Sequence, residues 1–386
     1  MIIPFYTLYK SNSKYKNKAV TVLQILSSAE IAGGERYLYD LINHSSKLIR
    51  HIIILPYKGS FAYVLKKYKV RSTVVQMEYK KFLRPIFDIF KIIKINKVNI
   101  VHTHGYRANF YGRIACLLAR VKHITTVHVS IFDYKDTPKL LRYLYIFIEG
   151  ILAFKTSRYI CISKSMVHDM QKIKISQKKI SMIPNGVDLK RFQPRNNQND
   201  IKSKLGIDSN TMLIGTAGRM VSEKGQIYLI EALKQINGKI RNLKCIFLGE
   251  GILSEHLKNT AKKLDVIDMC IFAGVRYDIE TLYPALDLFV LPSIREPFGL
   301  VLLEAMACQI PVLATESGGP LDFIKSGITG VLVPPKDADK LAAEIENILL
   351  NKNRAKMLAA EGRKFVEQNY DVRKTVKKVE NLYFTI

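Results

Sequence analysis

The chain has 386 residues, of which 48% are hydrophobic and 24% are charged. Because this length exceeds the size of one ordinary hydrophobic core, the sequence predicts two globular domains. Its five cysteines are scattered and include no C-x-x-C pair, which argues against a disulfide framework or a zinc site and favours a reducing compartment. No run of about 18 apolar residues is free of charge, so no transmembrane helix is expected.

Positive charge is concentrated in the first half of the chain. Residues 1–190 contain 33 Lys and Arg against 10 Asp and Glu, whereas residues 191–386 contain 27 against 23. This excess predicts contact with an anionic surface or polyanion, with compositional drift as the alternative. The basic, aromatic segment 79–97 and the apolar segment 138–154 each suit either an interfacial helix or a helix packed against a sheet. The first 18 residues lack the long apolar core of a signal peptide.

Strand and helix patterns alternate from residue 19 onwards. The first predicted strand, 19–26, is followed by a loop ending in Gly33 and Gly34 and then by a helix, an order typical of phosphate binding. His128 stands directly after a later strand, 123–127, at the end where ligands of open parallel sheets gather. With His102 and His104 it suggests a metal site, but no carboxylate or Cys completes a recognisable ligand set.

A linker rich in Asn, Pro and Arg, near residues 187–200, separates this array from a second one. The two arrays predict an α/β fold with two doubly wound, Rossmann-like parallel sheets facing a cleft. The predicted domains are residues 1–190 and 191–368, and a final helical segment, 369–386, can pack back on the first domain.

Residues 293–311 read SIREPFGLVLLEAMACQIP and follow a short apolar strand. We expect Glu296 on a loop and Glu304 in a helix that begins near Gly299. The free amides at that helix N-terminus suit an anion, and the carboxylates suit hydroxyl groups, a combination that a sugar nucleotide satisfies. The D-x-D sequence at 337–339 opens a helix and is interpreted as a cap.

Two cations flank a glycine turn that follows the first strand of the second array. They are Arg219 and Lys224, and near a helix N-terminus such a pair binds a diphosphate and stabilises its charge as it departs.

The order of the sequence motifs carries a family resemblance. They are GGERYLYDL at 33–41, HTHGYRANFYGRIA at 102–115, TVH at 126–128, ICISKSM at 160–166, IPNGVDLKRF at 183–192, GRMVSEKG at 218–225, LGEG at 248–251, EPFGLVLLEAMA at 296–307, and GG with TGVLVPP within 318–335. The set resembles retaining glycosyltransferases of the GT-B fold in family 4 (glycosyl transferases group 1), which includes lipopolysaccharide, capsule and lipid mannosyltransferases.

The resemblance implies one set of residues that bind or act on a nucleotide-sugar donor. Those matched to the catalytic centre are His128, Glu296, Arg219 and Lys224, and those matched to donor contacts are Gly33, Gly34, Arg276, Gly299, Leu300 and Glu304.

In the second domain the implied contacts divide by chemical group. Arg219 and Lys224 hold the diphosphate, with help from the amides of residues 299 and 300. Glu304 binds the ribose hydroxyls, Glu296 binds the hydroxyls of the transferred sugar, and Arg276 contacts the base.

In the first domain Gly33 and Gly34 approach the donor phosphates, and His128 lies beside the reacting sugar. Domain closure is expected to bring these residues onto the donor and to exclude water.

Two positions depart from the family pattern. Gln309 stands where many relatives carry Gly, after a helix whose end favours left-handed geometry. Either Gln309 adopts that geometry at a cost, or the turn differs. Asp322 stands where Glu is commoner. Neither departure affects the predicted donor site.

The implied activity is metal-independent, retaining transfer from a donor such as a UDP-sugar or GDP-mannose, without a cofactor. The acceptor is expected to be a membrane-associated glycan or lipid, and the enzyme to be cytoplasmic and peripheral to an anionic membrane. One alternative is a GT-B-like sugar-nucleotide epimerase. A basic nucleic-acid-binding protein is disfavoured because no helix-turn-helix, RNP or zinc signature accompanies the charge.

Overall fold

A computed structural model describes residues 19–77, 82–133 and 139–386. These residues divide into two compact units. The first comprises the described residues up to Ile160 with Met170–Ile183 and Val376–Ile386, and the second comprises Cys161–Asp169 and Pro184–Thr375. Residues 1–18 and parts of the segments 79–97 and 138–154 lie outside the described residues, so the expectations for them are not addressed there.

The first unit contains a seven-stranded sheet in the order β3-β2-β1-β4-β5-β6-β7, and its four described strand pairings are parallel. The strands are β1 (Val20–Leu26), β2 (Ile49–Leu55), β3 (Ser72–Val74), β4 (Ile100–His104), β5 (Lys122–Val127), β6 (Thr156–Cys161) and β7 (Ile180–Met182). The helices between them are α1 (Gly33–His44), α2 (Ser60–Lys67), α3 (Leu83–Ile95), α4 (Tyr106–Ala119), α5 (Lys139–Leu152) and α6 (Lys164–Lys172).

The second unit contains a six-stranded parallel sheet in the order β10-β9-β8-β11-β12-β13. The strands are β8 (Met212–Ala217), β9 (Leu243–Leu248), β10 (Cys270–Phe272), β11 (Leu288–Leu291), β12 (Val312–Thr315) and β13 (Val331–Val333). Its helices are α7 (Gln198–Lys204), α8 (Gln226–Ile236), α9 (Ser254–Lys263), α10 (Ile279–Leu282), α11 (Leu300–Ala307), α12 (Pro320–Phe323), α13 (Ala338–Leu350) and α14 (Lys352–Asn369). The last helix, α15 (Val372–Thr385), belongs to the first unit from Val376 onwards.

The central strands of both parallel sheets are buried. In β1 the residues Leu23 and Ile25 are fully buried, as are Leu288 and Val290 in β11, because helices cover both faces of such sheets. In each sheet the strand order reverses at one point, between β1 and β4 and between β8 and β11. Ligands of doubly wound folds bind outside the carboxyl ends of the strands at this switch point.

The predicted C-terminal helix is present as α15, which begins at Val372 rather than at residue 369. Helix α14 ends at Asn369 and α15 begins at Val372, because the intervening chain pairs with Val187: the Val187 amide donates to Tyr370 and the Val372 amide donates to Val187. Within the first unit, the Tyr383 hydroxyl of α15 lies 2.6 Å from His102 Nδ1.

Gln309 has a φ of +60°, so of the two alternatives at this position the left-handed geometry is confirmed. A residue with a Cβ adopts it at a cost of about 1–2 kcal/mol. The turn nevertheless closes, since the Ile310 amide donates to the Ala305 carbonyl over 3.0 Å.

Helix α5 is fixed to the first unit by a buried ion pair. The Arg113 guanidinium of α4, 1% exposed, donates to both carboxylate oxygens of Glu149 over 2.8 and 2.5 Å. It also donates to Thr156 and Tyr159. Burial opposes the charge of Arg113, but the Glu149 carboxylate outweighs it and raises the pKa of the guanidinium. Glu149 therefore determines which face of α5 turns inward.

Replacing Glu149 by Leu should lower the free energy of unfolding by about 3–5 kcal/mol, because Arg113 is left buried without a counter-charge. Urea denaturation followed by circular dichroism measures the change. The Arg113→Met/Glu149→Leu double variant should recover most of the loss. Glu255→Ala, which breaks an exposed pair with Lys258, is the control and should leave the midpoint unchanged. A single variant as stable as the wild type would contradict the assignment.

Candidate functional site

Two loops at the switch point of the second unit bring a cation and a carboxylate together. Lys224 lies in the loop after β8 and Glu296 in the loop after β11, and Lys224 Nζ lies 2.6 Å from Glu296 Oε2. The buried Ser293 hydroxyl donates to the same oxygen over 3.0 Å. Within the described residues nothing hydrogen-bonds Oε1, so Glu296 keeps one carboxylate oxygen for a ligand while the other fixes its orientation.

Glycines allow the loops after β8 and β12 to touch the loop after β11 through their backbones. A Cβ on Gly225, whose φ is +63°, would lie 2.1 Å from the Pro292 carbonyl oxygen, and one on Gly319 would lie 2.2 Å from Phe298 Cα. The Gly319 amide also donates to the Glu296 carbonyl over 2.8 Å. Since any side chain would separate the loops, these glycines set the positions of the Lys224 and Glu296 side chains.

Glu304 lies on α11, as the sequence predicts, one turn beyond the helix N-terminus. Gly299 caps α11 with a φ of +89°, and Leu300 is its first residue. The first amides of a helix have no carbonyl partner within it, and a fixed partial positive charge accompanies them. The buried Glu304 carboxylate is held by the Tyr283 hydroxyl, which lies 3.2 Å from Oε2. The helix thus presents amides and a positioned carboxylate from one short segment.

The two predicted arginines are placed differently from Lys224. Arg219 is exposed, and the contact that fixes it is through its carbonyl, which accepts from Gln226 Nε2 over 3.0 Å. Arg276 donates to both oxygens of Asp278, over 2.9 and 2.8 Å, and these hydrogen bonds lower the pKa of Asp278. The structure therefore joins Lys224 to Glu296, whereas Arg276 is bound to Asp278 rather than to another predicted donor residue.

Two residues that orient the carboxylates carry no recognisable sequence signal. Ser293 has the appearance of an ordinary turn serine, and Tyr283 precedes Glu304 by 21 positions. The D-x-D sequence is a helix cap, as predicted: Asp337 Oδ1 accepts from the Lys340 amide over 2.9 Å at the start of α13.

In the first unit, the glycine loop meets His128. Helix α1 begins at Gly33. A Cβ on Gly34 would lie 3.4 Å from His128 Cδ2, whereas one on Gly33 would have no atom within 4 Å. Gly34 therefore packs against the imidazole, and the exposed Gly33 backbone is open to a ligand.

The His128 ring is held by two aromatic neighbours. Its Nε2 lies 3.1 Å from His104 Nδ1, and the Tyr37 ring packs edge-on with centroids 5.1 Å apart. Burial lowers the pKa of His128 to about 4, and burial also lowers the pKa of His102 and His104 well below the usual value. All three imidazoles are consequently neutral at pH 7.

The three histidines hydrogen-bond to protein groups. His102 reaches Tyr383 and Thr126 over 2.6 and 2.7 Å, and His104 reaches Gln24 over 2.9 Å. Across 19–77, 82–133 and 139–386, no group of three His, Cys, Asp or Glu is arranged to hold a metal ion. Metal independence stays a prediction. In the same ranges no helix is long and apolar enough to cross a bilayer.

Comparisons with known proteins cover both units. Residues 31–191 match the family model for Glycosyltransferase Family 4, and residues 197–365 match the model for Glycosyl transferases group 1. The chain is similar over most of its length to UDP-Gal:alpha-D-GlcNAc-diphosphoundecaprenol alpha-1,3-galactosyltransferase of Escherichia coli, with 31% identity over 290 residues, or 74% of each chain.

A second relative and a solved structure are consistent with these family matches. The capsular polysaccharide biosynthesis glycosyltransferase CapM of Staphylococcus aureus is 28% identical over 74% of this chain and 76% of that one. The fold matches Anabaena Alr3699/HepE, crystallised in complex with UDP-glucose, with a TM-score of 0.86 and 21% identity over 95% of this chain and 100% of that chain. The chain therefore belongs to glycosyltransferase family 4 and has the GT-B fold.

Proposed function

We propose that the protein is a retaining glycosyltransferase that moves a sugar from a nucleoside diphosphate sugar to a lipid-linked or glycan acceptor of the cell envelope. The observation that carries the proposal is the Lys224–Glu296 pair at the switch point of the second unit. Helix α11, which carries Glu304, begins four residues after Glu296. A cation, free amides and two oriented carboxylates match the diphosphate and the hydroxyl groups of such a donor.

The side chains divide the donor between them. Lys224, with Arg219, binds the diphosphate together with the amides at the start of α11. Glu304 accepts hydrogen bonds from the ribose, and Glu296 Oε1 accepts from a hydroxyl of the transferred sugar. Because Glu296 Oε2 is already bound by a cation and a hydroxyl, the carboxylate is a fixed acceptor rather than a proton donor.

This arrangement favours front-face substitution. The acceptor oxygen forms its bond to the anomeric carbon on the side where the bond to phosphate breaks, and the departing phosphate oxygen takes the acceptor's proton. Lys224 and the α11 amides stabilise the charge that accumulates on the diphosphate. Neutral His128 adds no charge beside the sugar. No carboxylate nucleophile and no metal are needed for this step.

The proposed acceptor class rests on the activities of two relatives. One relative acts on a diphosphoundecaprenol-linked sugar and another belongs to capsular polysaccharide biosynthesis. We propose that this protein also acts at a membrane surface, because α5 has an exposed apolar stripe opposite Glu149. Its members are Leu140 (82% exposed), Tyr143, Phe147 and Ile151. Together with the basic first half of the chain, the stripe suits the surface of an anionic membrane on the cytoplasmic side.

A thermal-shift screen with UDP-galactose, UDP-glucose, UDP-GlcNAc and GDP-mannose tests the donor, because a bound donor raises the unfolding midpoint by mass action. The best donor is then incubated with a synthetic lipid-diphosphate sugar. Without the acceptor we expect only slow hydrolysis of the donor, and with the acceptor we expect transfer of the sugar to it. Turnover of UDP-GlcNAc to a 2-epimer without acceptor would favour the epimerase instead, and inversion of the product anomer would exclude retention.

Two carboxylate variants should separate sugar binding from ribose binding. Glu304→Gln should weaken both UDP and the UDP-sugar by about 10- to 100-fold, the value of a hydrogen bond to a charged group. Glu296→Gln should weaken only the UDP-sugar, since UDP lacks the sugar that Glu296 binds. Isothermal titration with both ligands measures this difference.

The control for these titrations is Glu255→Gln, an exposed carboxylate of the same unit, which should bind both ligands like the wild type. An equal effect of Glu296→Gln on UDP and on the UDP-sugar would contradict its assignment to the sugar.

Transfer should persist in EDTA, because the cation and the helix amides already neutralise the diphosphate. The rate is measured on metal-stripped enzyme with and without added Mg²⁺ or Mn²⁺. Abolition by EDTA and recovery with either ion would show that the leaving group needs a metal.

Membrane binding should depend on both charge and the α5 stripe. The protein should float with phosphatidylglycerol-containing vesicles at low salt and be released as salt screens the charges. Phe147→Glu should weaken flotation, whereas Tyr63→Glu, on the exposed face of α2, should not. A wild-type protein that stays unbound at low salt would refute peripheral association.

A further inference from the structure

Five side chains of the first unit form a continuous line of hydrogen bonds from the end of α1 to His128. We call it the histidine relay, and its members are Ser45, His51, Gln24, His104 and His128. The successive distances are 3.0 Å from Ser45 Oγ to His51 Nε2, 3.1 Å from His51 Nδ1 to Gln24 Nε2, 2.9 Å from Gln24 Oε1 to His104 Nε2 and 3.1 Å from His104 Nδ1 to His128 Nε2.

The direction of the relay is set at its first member. Ser45 Oγ lies 2.5 Å from the Leu41 carbonyl oxygen, a group that can only accept. The single hydroxyl proton of Ser45 must therefore point to Leu41, and Ser45 Oγ must accept from His51. His51 consequently carries its proton on Nε2, and its Nδ1 accepts.

The proton position on His51 also fixes the orientation of the Gln24 amide. Only the amide nitrogen of Gln24 can donate to His51 Nδ1, so the amide oxygen faces His104 and accepts from its Nε2–H. A neutral His104 then has a bare Nδ1, which accepts from His128 Nε2–H. No other assignment of protons satisfies every contact in the line.

A branch through α15 agrees with this direction. Gln24 Nε2 also donates to the Tyr383 hydroxyl over 3.2 Å, so the Tyr383 proton goes to His102 Nδ1. His102 must then donate from Nε2, and it lies 2.7 Å from Thr126 Oγ1. The carboxyl-terminal helix thereby supports the orientation of Gln24.

The four rings are neutral, as the assignment requires. Burial lowers the pKa of His51 and of His128 to about 4, and burial also holds the pKa of His102 and His104 well below the usual value. Gln24 and His102 are completely buried, so water does not compete for their hydrogen bonds.

We propose that the histidine relay holds His128 in the Nε2–H tautomer, with Gln24 and His104 as positioning residues. Within the described chain no side chain hydrogen-bonds His128 Nδ1. This nitrogen is therefore a fixed acceptor, suited to a hydroxyl group and unsuited to another acceptor. Resting on the proposed function, its ligand is a hydroxyl of the sugar under transfer, so His128 selects a donor that carries that hydroxyl.

Long-range proton–nitrogen NMR of the full chain labelled with ¹⁵N-histidine tests the tautomer without any substrate. We expect His51, His102, His104 and His128 all to be protonated on Nε2 at pH 7. The His128→Gln variant assigns the His128 signals by their loss. Protonation of His128 on Nδ1 in the wild type would overturn the proposal, whether or not the protein proves to be a glycosyltransferase.

Gln24→Met keeps the volume of the side chain but removes the acceptor for His104. His128 should then populate both tautomers, and kcat with the donor found by thermal shift should fall about 2- to 10-fold, the value of one net hydrogen bond. The KM for that donor should change less than kcat.

Thr125→Val is the matched control, because it removes buried hydrogen bonds of the same sheet outside the relay and should leave the tautomer unchanged. A Gln24→Met spectrum identical to the wild type would also overturn the proposal. If that variant does not fold, the wild-type spectrum decides alone.

Discussion

The Lys224–Glu296 ion pair depends on backbone contact between neighbouring loops. The loops follow β8 and β11, adjacent strands at which the order of the second sheet reverses, so both leave the sheet at its carboxyl edge. They close on each other because Gly225, after β8, has no Cβ, and Gly319 lets the loop after β12 close on the loop after β11 in the same way. Once closed, the loops hold the cation against the buried carboxylate, and α11 begins a few residues later with its amides and Glu304. One packing constraint thus positions the groups proposed to bind the donor.

In the first unit, buried polar residues hold a neutral imidazole, that of His128, in a fixed orientation. A parallel strand is normally a continuous apolar run, yet β1 contains Gln24 and β4 contains His102 and His104. The burial of these three residues is tolerated because each of their side-chain nitrogen and oxygen atoms has a hydrogen-bond partner. Neutral histidines set the donor-to-acceptor direction of these hydrogen bonds without the cost of a buried charge. The groups at the switch point of the second unit are thus charged, whereas the buried imidazoles of the first unit are neutral.

Much of this could be predicted from sequence, for identifiable reasons. Alternating apolar runs and glycine turns predicted two parallel sheets, and the spacing from Glu296 to Glu304 placed one carboxylate on a loop and the other in a helix. The pairing of Lys224 with Glu296 was not predicted, because contacts across 72 positions depend on loop packing. Ser293, Tyr283 and Tyr383 carry no local signal. The start of the last helix was predicted three residues early, because the bridge between Val187 and Asp371 that sets it has no local signal.

Hydrogen exchange measured by mass spectrometry, with and without saturating UDP, tests most directly where the donor binds. UDP should slow exchange in peptides covering residues 218–225 and 293–304, where the loops and the amides at the start of α11 would contact it. Protection by UDP that is confined to other segments would show that the donor does not bind at these loops.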